Sequence, residues 1–332
     1  MLVRPKQIPI RHIDNAYRRA ALLCGRSLAF QFLLRPSTEG LPLDGLRQLP
    51  AVLGLSQDGE YVGIKFDHNR CDAIGAIQLI RVSMLGMPPI ACEFFCPPAG
   101  RGKRVPRRPF TRATSGSISL IPATPEYHIV RFVLKRVGAD KTVTESTVIA
   151  LHEIALQQKE HGRRHATIVV AVSAALMSPR RPTCNLSSAF LSVATPSELR
   201  GGRIEELVSR QFSVARAGRV ELLRRTAKFG RWPRPLTICT DAIAKITGPP
   251  KETAVVSNLG TLMDPVLLAR VSEIYFVPPI RSTTTLAVGI VGLHDRVFAT
   301  LAGHGSSAAL ESLAMRLWTG AGFGVEEMTR VC

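Results

Sequence analysis

One stretch, Tyr61–Arg81 (YVGIKFDHNRCDAIGAIQLIR), changes hydrophobic period midway and so limits what can be built around it. Tyr61 to Phe66 reads as a short buried strand. From Ala73 the apolar residues take helical spacing, with Ala73, Ile77 and Ile80 on one face. Between the two lie His68, Asn69, Arg70, Cys71 and Asp72, which puts a histidine and an aspartate four apart at a strand-to-helix junction. An imidazole there suits general-base work, because its ordinary pKa of about 6.5 leaves much of it neutral near neutral pH. A positioned base of this kind contributes about 10²–10⁴ in rate. Asp72 falls past the turn, where it either braces the loop or caps the helix.

At 332 residues the chain is large for a single core and points to two lobes. Its hydrophobic content of 45% fits a well-buried globular protein rather than a disordered one. No apolar run reaches the length of about 18 residues that spans a bilayer. The first residues, MLVRPKQIPIRHID, lack the pattern of a secretory signal, so the expected location is the cytoplasm. The seven cysteines are scattered. Cys92 and Cys96 form the one close pair, and no second pair completes a zinc site. Reduced, buried thiols are expected and no metal is called for.

The formal net charge of +18 would attract polyanions through a salt-sensitive term. Yet 34 of the 43 basic residues are arginines spread over most of the chain, and aromatics make up only 6%. No basic patch is interleaved with stacking rings, so nucleic acid is not the expected partner. Arg101–Arg112 (RGKRVPRRPFTR) does pack six basic residues into twelve, and reads as an exposed linker or a contact for a phosphate or an acidic protein surface.

Taken in order, the chain opens with a candidate helix at Asn15–Cys24, a strand at Ser27–Leu34 and a short helix at Leu43–Leu53. After the Tyr61–Arg81 unit, Tyr127–Lys135 alternates like a half-buried strand. Lys141–Glu160 has helical spacing, with Thr142 or Thr144 as N-cap and Glu145 in the first turn. His165–Leu176 is apolar enough to be a strand buried on both faces. A basic loop, Arg180 to Asn185, leads to a strand at Leu186–Val193. Thr195 to Ala217 reads as an amphipathic helix, and Leu222–Arg234 as a basic surface segment. A strand at Ala254–Leu262 carries Ser257, Asn258, Leu259 and Gly260. Ile274–Ile280, Thr283–Leu293 and Val297–Ala302 read as consecutive antiparallel strands, and a helix at Ser307–Thr319 closes the fold.

The segment FDHNRCDAIGA is similar to the HHxxxDG motif of the chloramphenicol acetyltransferase-like superfamily, which includes nonribosomal-peptide condensation domains and alcohol acyltransferases. Asp67 stands at the first histidine, as in the dihydrolipoyl acyltransferases of the same superfamily, and Ala73 at the glycine; the second histidine and the aspartate are present as His68 and Asp72. The Arg180–Asn185 loop and the Ser257–Gly260 segment resemble later motifs of the same family and follow in the same order. Some 260 residues follow Asp72, which fits a two-lobe, condensation-like chain.

The resemblance implies an α/β (α+β) fold of two lobes, each a mixed sheet with covering helices, and an active-site tunnel between them. Its expected division is a shortened N-terminal lobe, 1–125, carrying the HxxxD loop, and a C-terminal lobe, 126–332. It implies acyl transfer from a pantetheine thioester, on coenzyme A or a carrier protein, to a hydroxyl or amine, in secondary metabolism or lipid biosynthesis. His68 would take or orient the acceptor's proton, and Asp72 would be held by an arginine, with Arg180, Arg181 and Arg11 as candidates. Ser257 and Asn258 are candidate substrate-binding donors toward the tetrahedral oxyanion. No bound cofactor or metal is expected; the acyl thioester is the donor substrate. Partners implied are an acyl or peptidyl carrier protein and a small-molecule acceptor. The alternative is a degenerate, non-catalytic docking module for an acidic carrier protein.

Overall fold

The computed structural model describes residues 29–47, 49, 51–56, 59–67, 72–86, 120, 127–136, 142–157, 165–172, 189–196, 204–210, 212, 252–279, 284 and 286–331. Among these, two sheets form the frame. The smaller contains β1 (Ala29–Pro36), β2 (Val52–Leu55), β3 (Val62–Asp67) and β8 (Val271–Val277), in the order β2-β3-β1-β8 and antiparallel throughout. The larger contains β4 (Tyr127–Arg136), β5 (His165–Val172), β6 (Ala189–Pro196), β7 (Ala254–Leu262), β9 (Leu286–Leu293), β10 (Arg296–His304) and β11 (Phe323–Val331). Their order is β11-β4-β10-β9-β7-β5-β6. Only β5–β7 and β7–β9 run parallel.

The alternating side chains of β4 separate the two faces of the larger sheet. Val130, Phe132 and Leu134 join a core with α3 (Val143–Gln157) and α6 (Ser307–Gly320), where Leu151, Leu317 and Trp318 are fully buried. Val133, on the opposite face, joins a second core with Phe30, Phe32 and Phe276 of the smaller sheet. That second core also takes in α2 (Ala73–Met84), through Ala76, Ile77, Leu79 and Ile80, and Leu267 of α5 (Pro265–Arg270). Thr142 caps α3, its hydroxyl accepting from the Glu145 amide at 3.3 Å. A further helix, α4, spans residues 204–210, inside the longer helix expected at Thr195–Ala217, whose first residues belong to β6.

Three expectations are corrected. Leu43–Leu53 is not one helix: α1 covers Leu43–Leu46 and β2 follows, because Pro50 disfavours helical backbone before it. The expected run of three antiparallel strands breaks at its first member. β9 and β10 pair, but β8 pairs with β1. Instead of joining the larger sheet, β8 lies on its face. At Gly289 a Cβ would stand 1.8 Å from the Phe276 carbonyl oxygen, and Thr300 Oγ1 donates to that same oxygen at 2.6 Å. Lastly, α6 does not close the described chain, since β11 follows it and pairs with β4 across a bulge between Val325 and Glu327. The bulge interrupts the alternation by which such a strand is recognised.

Sheet membership therefore does not follow the division at residue 125, because β8 completes the sheet begun by β1 to β3. Asn15–Cys24, Arg101–Arg112, Arg180–Asn185 and Leu222–Arg234 lie outside the described residues. Among the described residues no helix is long and apolar enough to cross a membrane.

Candidate functional site

β3 delivers the chain to the motif. Its inward residues Val62, Ile64 and Phe66 are buried, and the Phe66 ring stacks on Phe30 at 5.6 Å. The strand ends at Asp67 and α2 begins at Ala73, with Asp72 as its N-cap in extended backbone (φ −87°, ψ 173°). Asp72 Oδ1 accepts from the Gly75 amide at 2.7 Å, and the residue is 2% exposed. Of the two readings of Asp72, this is the cap. The carboxylate sits where the unpaired amides and positive end of the helix dipole favour negative charge. His68 lies outside the described residues, as do Arg11, Arg180 and Arg181, the candidate partners of Asp72.

Ser257 and Asn258 occupy the middle of β7, half-buried in the parallel ladder. Ser257 is level with Ala171 of β5 and Gly289 of β9. Immediately after them the ladder slips, between Asn258 and Thr261, and Gly260 takes the left-handed φ of +76° that suits glycine. Asn258 holds this irregularity in place. Its Oδ1 accepts from the Gly260 amide at 2.8 Å, while Nδ2 donates to Thr144 Oγ1 of α3 at 2.9 Å. The two donor candidates thus differ: Asn258 is engaged with its own chain on both sides of its amide.

The structure adds groups that the sequence reading did not single out. Arg81, in the last turn of α2, pairs with Asp264 Oδ2. The other oxygen of Asp264 caps α5, accepting from Val266 at 3.0 Å and Leu267 at 3.3 Å. A second group fills the space between the sheets. Glu273 of β8 accepts from Tyr61 at 2.6 Å, Tyr275 at 3.1 Å and Arg35 at 2.9 Å. Arg131 of β4, 7% exposed, lies 3.9 Å from the Tyr61 ring centre and 5.2 Å from that of Tyr275. Such cation–π contacts are stronger when desolvated.

Burial pushes the Tyr61 hydroxyl up to about 12, and its hydrogen bond to Glu273 adds to this. Burial likewise raises Tyr275. For Glu273, burial pushes upward, but the bonds from Tyr61, Arg35 and Tyr275 outweigh it and hold the carboxyl below its ordinary value. A signal for this cluster was present in the sequence: Glu273 and Arg131 are charges inside apolar strand runs, VSEIYFV and YHIVRFVLKR. Among the described residues no group of three or more His, Cys, Asp or Glu is placed to hold a metal ion.

No family model matches the sequence, and no curated protein matches it significantly. Solved structures do match its fold. The first condensation domain of the CDA synthetase superposes with a TM-score of 0.52 at 13% identity, over 99% of both chains. A double mutant of the starter condensation domain of rhizomide synthetase RzmA, in a product-released conformation, gives 0.52 at 10% identity, over 92% of both. The TRI3 trichothecene 15-O-acetyltransferase from Fusarium sporotrichioides gives 0.53 at 12% identity, over 96% of this chain and 75% of that one. The chain shares the fold of these condensation domains and of the acetyltransferase. That is the fold its HxxxD resemblance implied.

Proposed function

We propose that the protein is an acyltransferase of the condensation-domain type. It moves an acyl group from a pantetheine thioester, on coenzyme A or a carrier protein, to a hydroxyl or amine acceptor, in secondary metabolism or lipid biosynthesis. The observation that supports this most is the placement of Asp72. It is a buried N-cap at the start of the helix that follows the His68 loop, within a condensation-domain fold. A cap fixed in this way defines where the preceding loop must end.

In the proposed reaction the acceptor's lone pair attacks the thioester carbonyl carbon while His68 takes the acceptor's proton. The tetrahedral oxyanion then re-forms the carbonyl, the carbon–sulfur bond breaks, and the departing thiolate receives the proton from the imidazolium. The products are an ester or amide and a free pantetheine thiol. Ser257 is the preferred oxyanion donor, because Asn258 already bonds Thr144 and Gly260. Arg180 or Arg181 would pair with Asp72, and no metal takes part.

The test is intact-mass detection of acyl transfer from acyl-coenzyme A and acyl-pantetheinyl carrier donors to pooled amines and alcohols, with His68→Ala alongside. Turnover lost by at least about 10² in the variant is expected. Equal turnover would remove His68 as the base. A second reading, a docking module without chemistry, is favoured by Ala73 at the family's glycine position and by the +18 charge, which suits an acidic carrier protein. Absence of turnover with firm carrier binding, kept in His68→Ala, would select it.

A further inference from the structure

Among the described residues the chain passes from the larger sheet to the smaller at one point. β7 ends at Leu262, Asp264 caps α5, and β8 starts at Val271 directly after that six-residue helix. At this crossover the two oxygens of one carboxylate serve different elements. Oδ1 accepts the Val266 and Leu267 amides, and Oδ2 holds Arg81 in the last turn of α2. The opposite end of α2 is the Asp72 cap. A single helix thus carries a fixed cap at the motif and a fixed cation at the crossover. Its buried face, Ala76, Ile77, Leu79 and Ile80, packs into the core with the smaller sheet, and the ion pair adds a directional contact at its far end. The strand leading into the crossover is the one bearing Ser257 and Asn258.

We infer that Arg81 and Asp264 are a positioning pair, which sets the register of the helix behind the HxxxD loop against the Ser257–Asn258 strand. The inference rests on the proposed acyl transfer for its kinetic consequence. Neither residue touches the reacting atoms. The pair is partly exposed, with side chains 38% and 23% accessible, so it adds little to global stability. Its effect on chemistry can still be large, because a displacement of about 1 Å between groups that must meet costs about 10²-fold in rate.

Asp264→Asn separates the two duties, since asparagine is as good an N-cap as aspartate but carries no charge. Arg81→Met removes the cation and keeps an apolar stem, and Arg81→Lys restores the charge. The expected result is a fall in kcat of about 10-fold or more in Asp264→Asn and in Arg81→Met, with KM and melting temperature nearly unchanged. The double variant should be no worse than either single one, and Arg81→Lys should recover most of the rate. Full kcat in Asp264→Asn would overturn the inference, as would additive losses in the double variant. If the wild type shows no turnover with any donor, the acyl-transfer reading fails but the pairing is still testable by amide hydrogen exchange. Faster exchange at the Gly75 amide in Asp264→Asn, with β4 amides unchanged, would support the pair; unchanged exchange at Gly75 would overturn it.

Discussion

The two faces of the larger sheet are closed by different physics. On the helix side, Phe132, Ile290, Leu301 and Val256 share one apolar core with Leu151, Leu317 and Trp318, and α3 adds the buried polar residues Thr147 and His152. On the other side the smaller sheet brings Tyr61, Glu273 and Tyr275 against Arg131, alongside apolar neighbours such as Phe298. An apolar interface depends on area and shape and has no directional bonds to align. A buried carboxylate with three donors does not, because a shift of an ångström breaks several directional bonds in a dry space. The helix face holds the sheet together; the polar seam sets how one sheet sits on the other.

The largest expected effect tests the first half of that contrast. Phe132→Ala removes a fully buried ring on the helix face and should cost about 3–5 kcal/mol, read as a lower urea midpoint. The seam should be nearly as sensitive despite its smaller apolar area. Glu273→Ala leaves the Tyr61 and Tyr275 hydroxyls without this acceptor and Arg35 with Glu60 alone, at an expected cost of about 3 kcal/mol. A loss below about 1 kcal/mol would mean that the seam contributes little and the contrast is false.

Acid sharpens the same comparison. Glu273 is held below its ordinary value of 4.5, so its contribution is fully present above about that pH and is lost as pH falls through its folded-state pKa. The stability gap between the wild type and Glu273→Gln should therefore stay level above about pH 4.5 and narrow as the pH falls below it, whereas the gap for Phe132→Ala should stay level throughout. The smallest effect concerns the motif. Asp72→Ala should cost about 1 kcal/mol through the lost cap, and Asp72→Asn much less. A loss of several kcal/mol in Asp72→Asn would show that the charge of Asp72, and so an ionic partner, matters more than its capping oxygen.

Most of the elements were legible because their patterns are local. β3, α2, β4, α3, β7, β9 and β10 each carry an uninterrupted apolar period or a cap such as Asp72 or Thr142, and a reader of residues can find these without neighbours. β11 was missed because its bulge breaks the period and residues Glu326 to Arg330 are exposed. The Arg81–Asp264 pair was invisible because its members stand 183 positions apart and each looks ordinary in its own helix turn. Glu273 and Arg131 were visible as charges in apolar strands, but nothing in either strand named the partner.

The sequence by itself determined the local periods, the caps, the HxxxD spacing and the order of motifs that pointed to this fold. Each of those depends on residues within a turn or a strand of one another. The tertiary structure alone decided which sheet β8 joins, and therefore what Glu273, Tyr61 and Arg131 would be to each other. An apolar strand such as VSEIYFV can pair with any complementary edge. Its place is chosen by the space above Gly289, where the absence of a side chain lets the β8 backbone cross the larger sheet and reach β1. Contacts of that range are fixed only when both sheets exist.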